Sequence, residues 1–127
     1  MIPGSQSNHP TFRRSFGFAW QGFRFAFVSE RNLKVMLTAL LVTIVAGFVC
    51  QLDAWRWCVV LLCCGLVIFG ELMNTALETI VDLVSPEYNS LAGHAKDIAA
   101  AAEFWLSGIV GIVGLIIFIT RIIELAA

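Results

Sequence analysis

The sequence predicts an all-α integral membrane protein with three transmembrane helices and an N-terminal amphipathic surface helix. Three observations carry that expectation. The 127-residue chain is 59% hydrophobic and only 13% charged, with a mean hydropathy of +0.86. A soluble domain this small leaves too much of its surface wet to hide so much apolar area. Three apolar runs each reach the length that a bilayer crossing needs, and a Phe-rich segment interrupted by arginines precedes them. One domain is expected at this length. A net charge of −1 gives no reason to expect a nucleic-acid partner. Cys50, Cys58, Cys63 and Cys64 lie within or beside apolar runs without the spacing of a zinc site or a redox pair, so they read as buried free thiols. No secretory-signal pattern opens the chain, and the permanent spans are expected to direct insertion.

Residues 1–9 are polar, with Pro and Gly, and read as a flexible tail. Across residues 10–32, Arg13, Arg24 and Arg31 project along one line of a 3.6-residue helix, and Phe12, Phe16, Phe23 and Phe27 share an adjoining face. An aromatic face beside a basic stripe suits a helix lying on an anionic membrane surface. Residues 33–50 form the first span, about 27 Å long. Gln51-Leu52-Asp53 makes a short turn. Residues 54–84 then run without proline for about 46 Å, longer than the roughly 30 Å hydrocarbon core, so one end must emerge. Trp55 and Trp57 mark an interfacial belt at the start, which sends the later stretch GELMNTALETIVDL to the opposite face.

Ser85-Pro86 ends that helix. A loop to about Ala95 follows, carrying Glu87, Tyr88, Asn89 and His94. The third span is expected over residues 96–124, with Gly108, Gly111, Gly114 and the run Ala99 to Ala102 offering small-residue surfaces for close helix packing. Arg13, Arg14, Arg24, Arg31 and Lys34 precede the first span, against Arg56 alone after it. The positive-inside rule therefore puts the N-terminus and the 85–95 loop on the cytoplasmic side and the C-terminus outside.

The chemistry-bearing stretch is the end of the second span. Glu71, Asn74, Glu78 and Asp82 recur at i, i+3, i+7 and i+11, within about 60° of one line on a helix. Glu71 lies about 24 Å from the Trp55 level, near the cytosolic boundary, and Glu78 roughly 10 Å further out. One carboxylate thus stands at headgroup depth and another where a soluble nucleotide can reach. That arrangement suits phosphoryl transfer, with Glu71 positioning a lipid hydroxyl and taking its proton. Glu78 offers a hard oxygen ligand for Mg²⁺. Lys96, taken to open the third helix, would neutralise phosphate oxygens with help from the helix N-terminus. Asp97 would hold Lys96 or contact the nucleotide. The bland alternative is that these charges cap helices or pair with one another at the surface.

The string Glu71-Leu-Met-Asn74-Thr75-Ala76-Leu77-Glu78-Thr-Ile-Val81-Asp82 is followed by Ser85-Pro86-Glu87-Tyr88 and by Ala95-Lys96-Asp97-Ile-Ala99-Ala100. Upstream stand Gly17-Phe-Ala-Trp20-Gln-Gly22 and Ser29-Glu30-Arg31-Asn32. Together these resemble the bacterial membrane diacylglycerol kinase and undecaprenol kinase family over roughly residues 12–120. The Glu30-Arg31-Asn32 and Ser-Pro-Glu-Tyr variants look more like the undecaprenol kinases of Gram-positive bacteria. The resemblance implies a homotrimer in the bacterial cytoplasmic membrane that uses ATP and Mg²⁺ to phosphorylate a membrane lipid hydroxyl, undecaprenol or diacylglycerol, in phospholipid metabolism. It implies Glu71 as general base and Asn74 as a polar active-site residue. It also implies Glu30 and Glu78 as Mg²⁺ ligands, with Glu87, Tyr88, Asn89, Lys96 and Asp97 contacting the nucleotide.

Two positions depart from the family pattern. An arginine often found just before the surface helix is absent at Thr11, which leaves two readings: Arg13 or Arg14 stands in, or the contact is absent. Glu103 replaces a usually apolar residue about 10 Å into the membrane from Lys96, where an ionised group costs roughly 2.5–3.5 kcal/mol or more. Two readings of Glu103 stay open: a neutral side chain bonded to a neighbouring helix, or a group lining the lipid pocket. An intramembrane carboxyl such as Glu71 or Glu103 also suits a small proton-coupled membrane transporter, although a carrier has no use for the cytosolic cluster of Glu78, Glu87, Lys96 and Asp97. A non-catalytic membrane subunit would explain the spans and nothing else.

Overall fold

The computed structural model describes residues 11–127; the tail expected over residues 1–9 lies outside them. Four helices follow in order: α1 Phe12–Ser29, α2 Arg31–Val49, α3 Ala54–Val84 and α4 Ser90–Ala126, with no strand among the described residues. Helices α2, α3 and α4 are each long and apolar enough to cross a membrane. α3 packs against both α2 and α4, most extensively against α4.

The N-terminal helix expected over residues 10–32 ends at Ser29, and α2 begins at Arg31 instead of residue 33. Glu30 is extended (φ −99°, ψ 123°) and separates α1 from α2. The break is held locally: the Glu30 N–H closes α1 on the Ala26 carbonyl at 2.8 Å, and Lys34 Nζ donates to the Val28 carbonyl at 3.2 Å. Ala26 and Leu33, both buried, pack the corner. Arg31 therefore belongs to α2, and the basic stripe of α1 is Arg13 and Arg24. Trp20, Phe23 and Phe27 stack in sequence along α1.

At the opposite end, α2 closes on a left-handed residue. Gln51 has φ 50°. Its N–H reaches the Phe48 carbonyl at 3.1 Å, and the Leu52 N–H reaches Gly47 at 3.0 Å. These are the paired bonds of a Schellman ending, which usually places glycine at the left-handed position. Leu52 is buried beneath the turn. Asp53 then caps α3 by accepting from the Arg56 N–H at 3.0 Å. Trp55 is exposed, but Trp57 is turned inward against Phe48, ring centroids 5.0 Å apart, so only one of the two expected belt tryptophans faces outward. Its ring fills the place of the missing Gly47 side chain, where an added Cβ would lie 2.6 Å from Trp57 Cη2.

The C-terminal end of α4 is tied to that turn. Arg121 donates from Nε to the Cys50 carbonyl at 3.1 Å and from Nη2 to the Gln51 carbonyl at 2.9 Å. Arg56 pairs with Asp53 and with Glu124, and Glu124 also receives Arg121 Nη1 at 3.2 Å. Arg121 thus satisfies carbonyls that the end of α2 leaves over.

The third span begins earlier than residue 96. Asn89 Oδ1 accepts from the Leu91 and Ala92 N–H groups at 2.9 and 3.4 Å, and α4 starts at Ser90. An Asn at the cap fixes the start, and neither Gly93 nor His94 interrupts it. The connection is therefore residues 85–89. At 37 residues, α4 is about 56 Å long. Gly108, Gly111 and Gly114 have open space where a Cβ would stand, so their small surfaces are not used for packing within one chain. All four cysteines are free, but Cys58 is exposed and the others half-buried, against the expectation that all are buried.

Candidate active site

The ladder of polar residues on α3 runs from the packed interior outward. Glu71 is 1% exposed and Thr75, one turn on, is 6% exposed. The Thr75 hydroxyl donates to the Glu71 backbone carbonyl at 2.9 Å, so it spends its donor on its own helix and leaves the Glu71 carboxyl alone. Asn74 Nδ2 donates to Glu78 Oε1 at 3.2 Å, the i, i+4 contact that a helix face allows. Glu78 is half-buried and Asp82 exposed. Along α3 the ladder thus passes from buried at Glu71 to exposed at Asp82.

Three buried side-chain atoms among the described residues lack a hydrogen-bond partner: Glu71 Oε2, Asn74 Oδ1 and Glu103 Oε2. Folded proteins pair nearly all such atoms, and an unpaired one calls for an explanation. Here all three are oxygen acceptors, contributed by α3 and the helix packed on it. α1 contacts α3 as well as α2, and Glu30 stands at the C-terminal end of α1.

Lys96 is placed differently from the sequence reading. It lies inside α4 and not at its N-terminus, where Asn89 occupies the cap. Its Nζ bonds both carboxylate oxygens of Asp82, at 2.9 and 3.0 Å, and Asp97 does not hold it. The pair joins the outer end of the ladder to α4. Glu87, Tyr88 and Asp97 are exposed around this rim, and Asn89 has its Oδ1 committed to the cap. Arg13 and Arg14 are exposed on α1. No group of three His, Cys, Asp or Glu among the described residues is arranged to hold a metal by itself.

Two residues that sequence reasoning passed over complete the site. Gly70 precedes Glu71, and a Cβ there would run into Glu103 Oε2. Ser107 donates its hydroxyl to Glu103 Oε1 at 2.8 Å. The signal for Ser107 was its position four residues beyond an intramembrane glutamate; Gly70 gave none.

Three candidate spans, with a buried carboxyl at the head of a polar ladder on one of them, describe a membrane-embedded helical protein. Residues 17–118 match the prokaryotic diacylglycerol kinase family, and the chain belongs to it. It is 34% identical over 111 residues to the undecaprenol kinase of Bacillus subtilis, covering 87% of this chain and 90% of that protein. It is 40% identical over 94 residues to a diacylglycerol kinase of Synechocystis, covering 73% of this chain and 54% of that one. It is 32% identical over 89 residues to the diacylglycerol kinase of Escherichia coli K12, covering 70% and 73%. The protein is a lipid kinase, and the transporter reading has no further support.

Proposed function

We propose that the protein transfers the γ-phosphoryl group of ATP to the hydroxyl of a membrane lipid, with Glu71 as general base. The observation that carries this reading is the Glu71 carboxyl itself: buried at the head of the α3 ladder, with Oε2 unpartnered. A lipid hydroxyl beside it gives its proton to that oxygen while the hydroxyl oxygen bonds to phosphorus, and the bond from phosphorus to the departing ADP breaks. Asn74 Oδ1, also unpartnered, is positioned to take part in orienting the substrate, while its Nδ2 steadies Glu78.

Glu30 and Glu78 would hold Mg²⁺. The all-oxygen donor set fits that ion, because Mg²⁺ on a nucleotide is usually bound by one or two carboxylates, with phosphates and waters supplying the rest. A full protein cage is not required. Bound there, the ion would neutralise charge on the transferred phosphate. Lys96, now steadied by Asp82, and the exposed Glu87, Tyr88, Asn89 and Asp97 form the rim proposed to receive the nucleotide; Arg13 or Arg14 would reach it from α1.

The preferred lipid is proposed to be an isoprenoid alcohol such as undecaprenol. Support comes from the Glu-Arg-Asn and Ser-Pro-Glu-Tyr variants and from the similarity to the Bacillus undecaprenol kinase over nearly its whole length. Diacylglycerol is the second reading, favoured by the Synechocystis relative. The site is proposed to face the cytoplasm of a bacterial membrane, α1 to lie on that surface, and the active species to be a homotrimer. The open glycines of α4 support the last point; a fully active monomer in detergent would contradict it. Transfer of labelled phosphate from ATP to undecaprenol and diacylglycerol competing in mixed micelles tests the whole reading. Labelled undecaprenyl phosphate should dominate. A clear preference for diacylglycerol would overturn the lipid assignment, and no transfer to either would overturn the reaction.

A further inference from the structure

Three polar side chains are buried among the described residues, Glu71, Thr75 and Glu103. Thr75 is satisfied by the backbone, and Glu71 is the proposed base. Glu103, 8% exposed, has no part in phosphoryl transfer as derived so far.

Its seat is built by both helices. Ser107 holds Oε1 at 2.8 Å. Oε2 rests against Gly70, in space that even a single added carbon would claim, and Leu106 Cδ2 lies 3.0 Å from the same point. That Oε2 is buried without a partner. A purely structural glutamate in a span would be expected to satisfy both oxygens across helices, but this one keeps an oxygen free beside the residue that precedes Glu71. Glu71 likewise buries its Oε2 without a partner, on the helix packed against α4. Two such oxygens can satisfy one another only when one carboxyl is protonated and donates, since an ionised carboxylate only accepts.

We propose that Glu103 is a positioning residue for the kinase reaction: seated on Gly70 and held by Ser107, it donates a hydrogen bond from a protonated Oε2 to the Glu71 carboxylate and fixes how that carboxylate faces the lipid hydroxyl. The inference rests on Glu71 being the base. Glu103 keeps its proton throughout, and the proton leaving the lipid goes to Glu71. The glycine at 70 is part of the device, since any side chain there would displace the Glu103 carboxyl.

The test is a set of variants assayed for kcat, for KM of lipid and of ATP, and for melting temperature in the same micelles. Glu103→Leu should lower kcat about tenfold, as losses of outer hydrogen-bonding partners at catalytic centres commonly do, with both KM values and the melting temperature retained. Glu103→Gln, whose amide still donates, should keep most of the wild-type kcat. Gly70→Ala adds a good helix former and pushes aside only the flexible end of Glu103. It should lower kcat in the wild-type background and have no further effect in Glu103→Leu. Wild-type kcat in Glu103→Leu would overturn the proposal. So would a raised lipid KM at unchanged kcat, which would make Glu103 a lipid contact, or equal losses in the Leu and Gln variants with a lowered melting temperature. Should Glu103→Leu fail to fold, the Gly70→Ala kcat decides alone. An active Glu71→Gln would sink the base and this proposal together; an inactive Glu71→Gln beside a fully active Glu103→Leu would sink this proposal only.

Discussion

The two ends of the α3–α4 pair treat their polar groups in opposite ways. At the end near the α2–α3 turn, Arg121 serves the Cys50 and Gln51 carbonyls, and Arg56, Asp53, Glu124 and Arg121 interlock. At the other end, Glu71, Asn74 and Glu103 each keep a buried oxygen unpaired. The first arrangement minimises the cost of having charge beside a membrane, and the second accepts that cost. Paired charge that closes a turn stabilises a fold. Buried acceptors left unpaired call for an explanation, and on the proposed function that explanation is catalysis. On that reading structure belongs to one end and chemistry to the other.

The largest expected effect breaks the chemical end. Glu71→Gln should lower turnover by about 10²–10⁴-fold, the range of general-base contributions, while nucleotide binding measured by ATP displacement stays near normal. Near-normal turnover would remove Glu71 from the reaction. Next come Glu30→Gln and Glu78→Gln. Each should raise the Mg²⁺ concentration for half-maximal rate by at least about tenfold, since even outer changes at metal sites cost that much. A changed lipid requirement at constant Mg²⁺ dependence would show the assignment to be wrong.

At the structural end the effects are smaller and appear in stability. Arg121→Leu removes the bonds to the Cys50 and Gln51 carbonyls and should destabilise the fold by about 0.5–1.5 kcal/mol, seen as a lower melting temperature in detergent with specific activity retained. Gln51→Gly relieves a side chain in left-handed backbone and should raise stability by up to about 1 kcal/mol; a lower melting temperature would contradict the Schellman assignment. The smallest effect is one of pH. The Arg56 backbone N–H, foremost among the groups acting on Asp53, holds its carboxyl below the ordinary value of 3.8. The folded state thus binds that proton less readily than the unfolded one. Its contribution is present above that value and is lost as pH falls through the lower folded one. Asp53→Asn keeps a capping side chain but loses the charge; it should lower the melting temperature slightly at neutral pH and flatten its acid limb, so that the two proteins converge as the pH falls.

How much of this the sequence carries depends on the kind of signal. The bounds of α3 are plain in it, because Asp53 caps one end and Ser85-Pro86 stops the other. The break at Glu30 is not, since neither Pro nor Gly marks it; it depends on the Ala26–Leu33 corner, which is a matter of tertiary packing. The start of α4 is hidden as well, because Gly93 and His94 look like loop residues while Asn89, the cap, sits among other polar ones. Within the site, the Glu71-to-Asp82 ladder follows from helical period alone. The Lys96–Asp82 pair and the Gly70–Glu103 seat join separate helices, and no spacing within one helix encodes them. Trp57 shows the same limit: its composition suggests an interfacial anchor, and only the missing side chain of Gly47 explains why it turns inward.

The most direct test of the division between the two ends measures turnover and melting temperature together for Glu71→Gln and Arg121→Leu in the same micelles. Glu71→Gln should lose turnover and keep or gain thermal stability, because an amide in place of a buried carboxylate carries a smaller desolvation cost. Arg121→Leu should lose thermal stability and keep turnover per folded molecule. If Glu71→Gln instead lowers the melting temperature and retains turnover, the unpaired carboxyl belongs to the fold and the account is wrong.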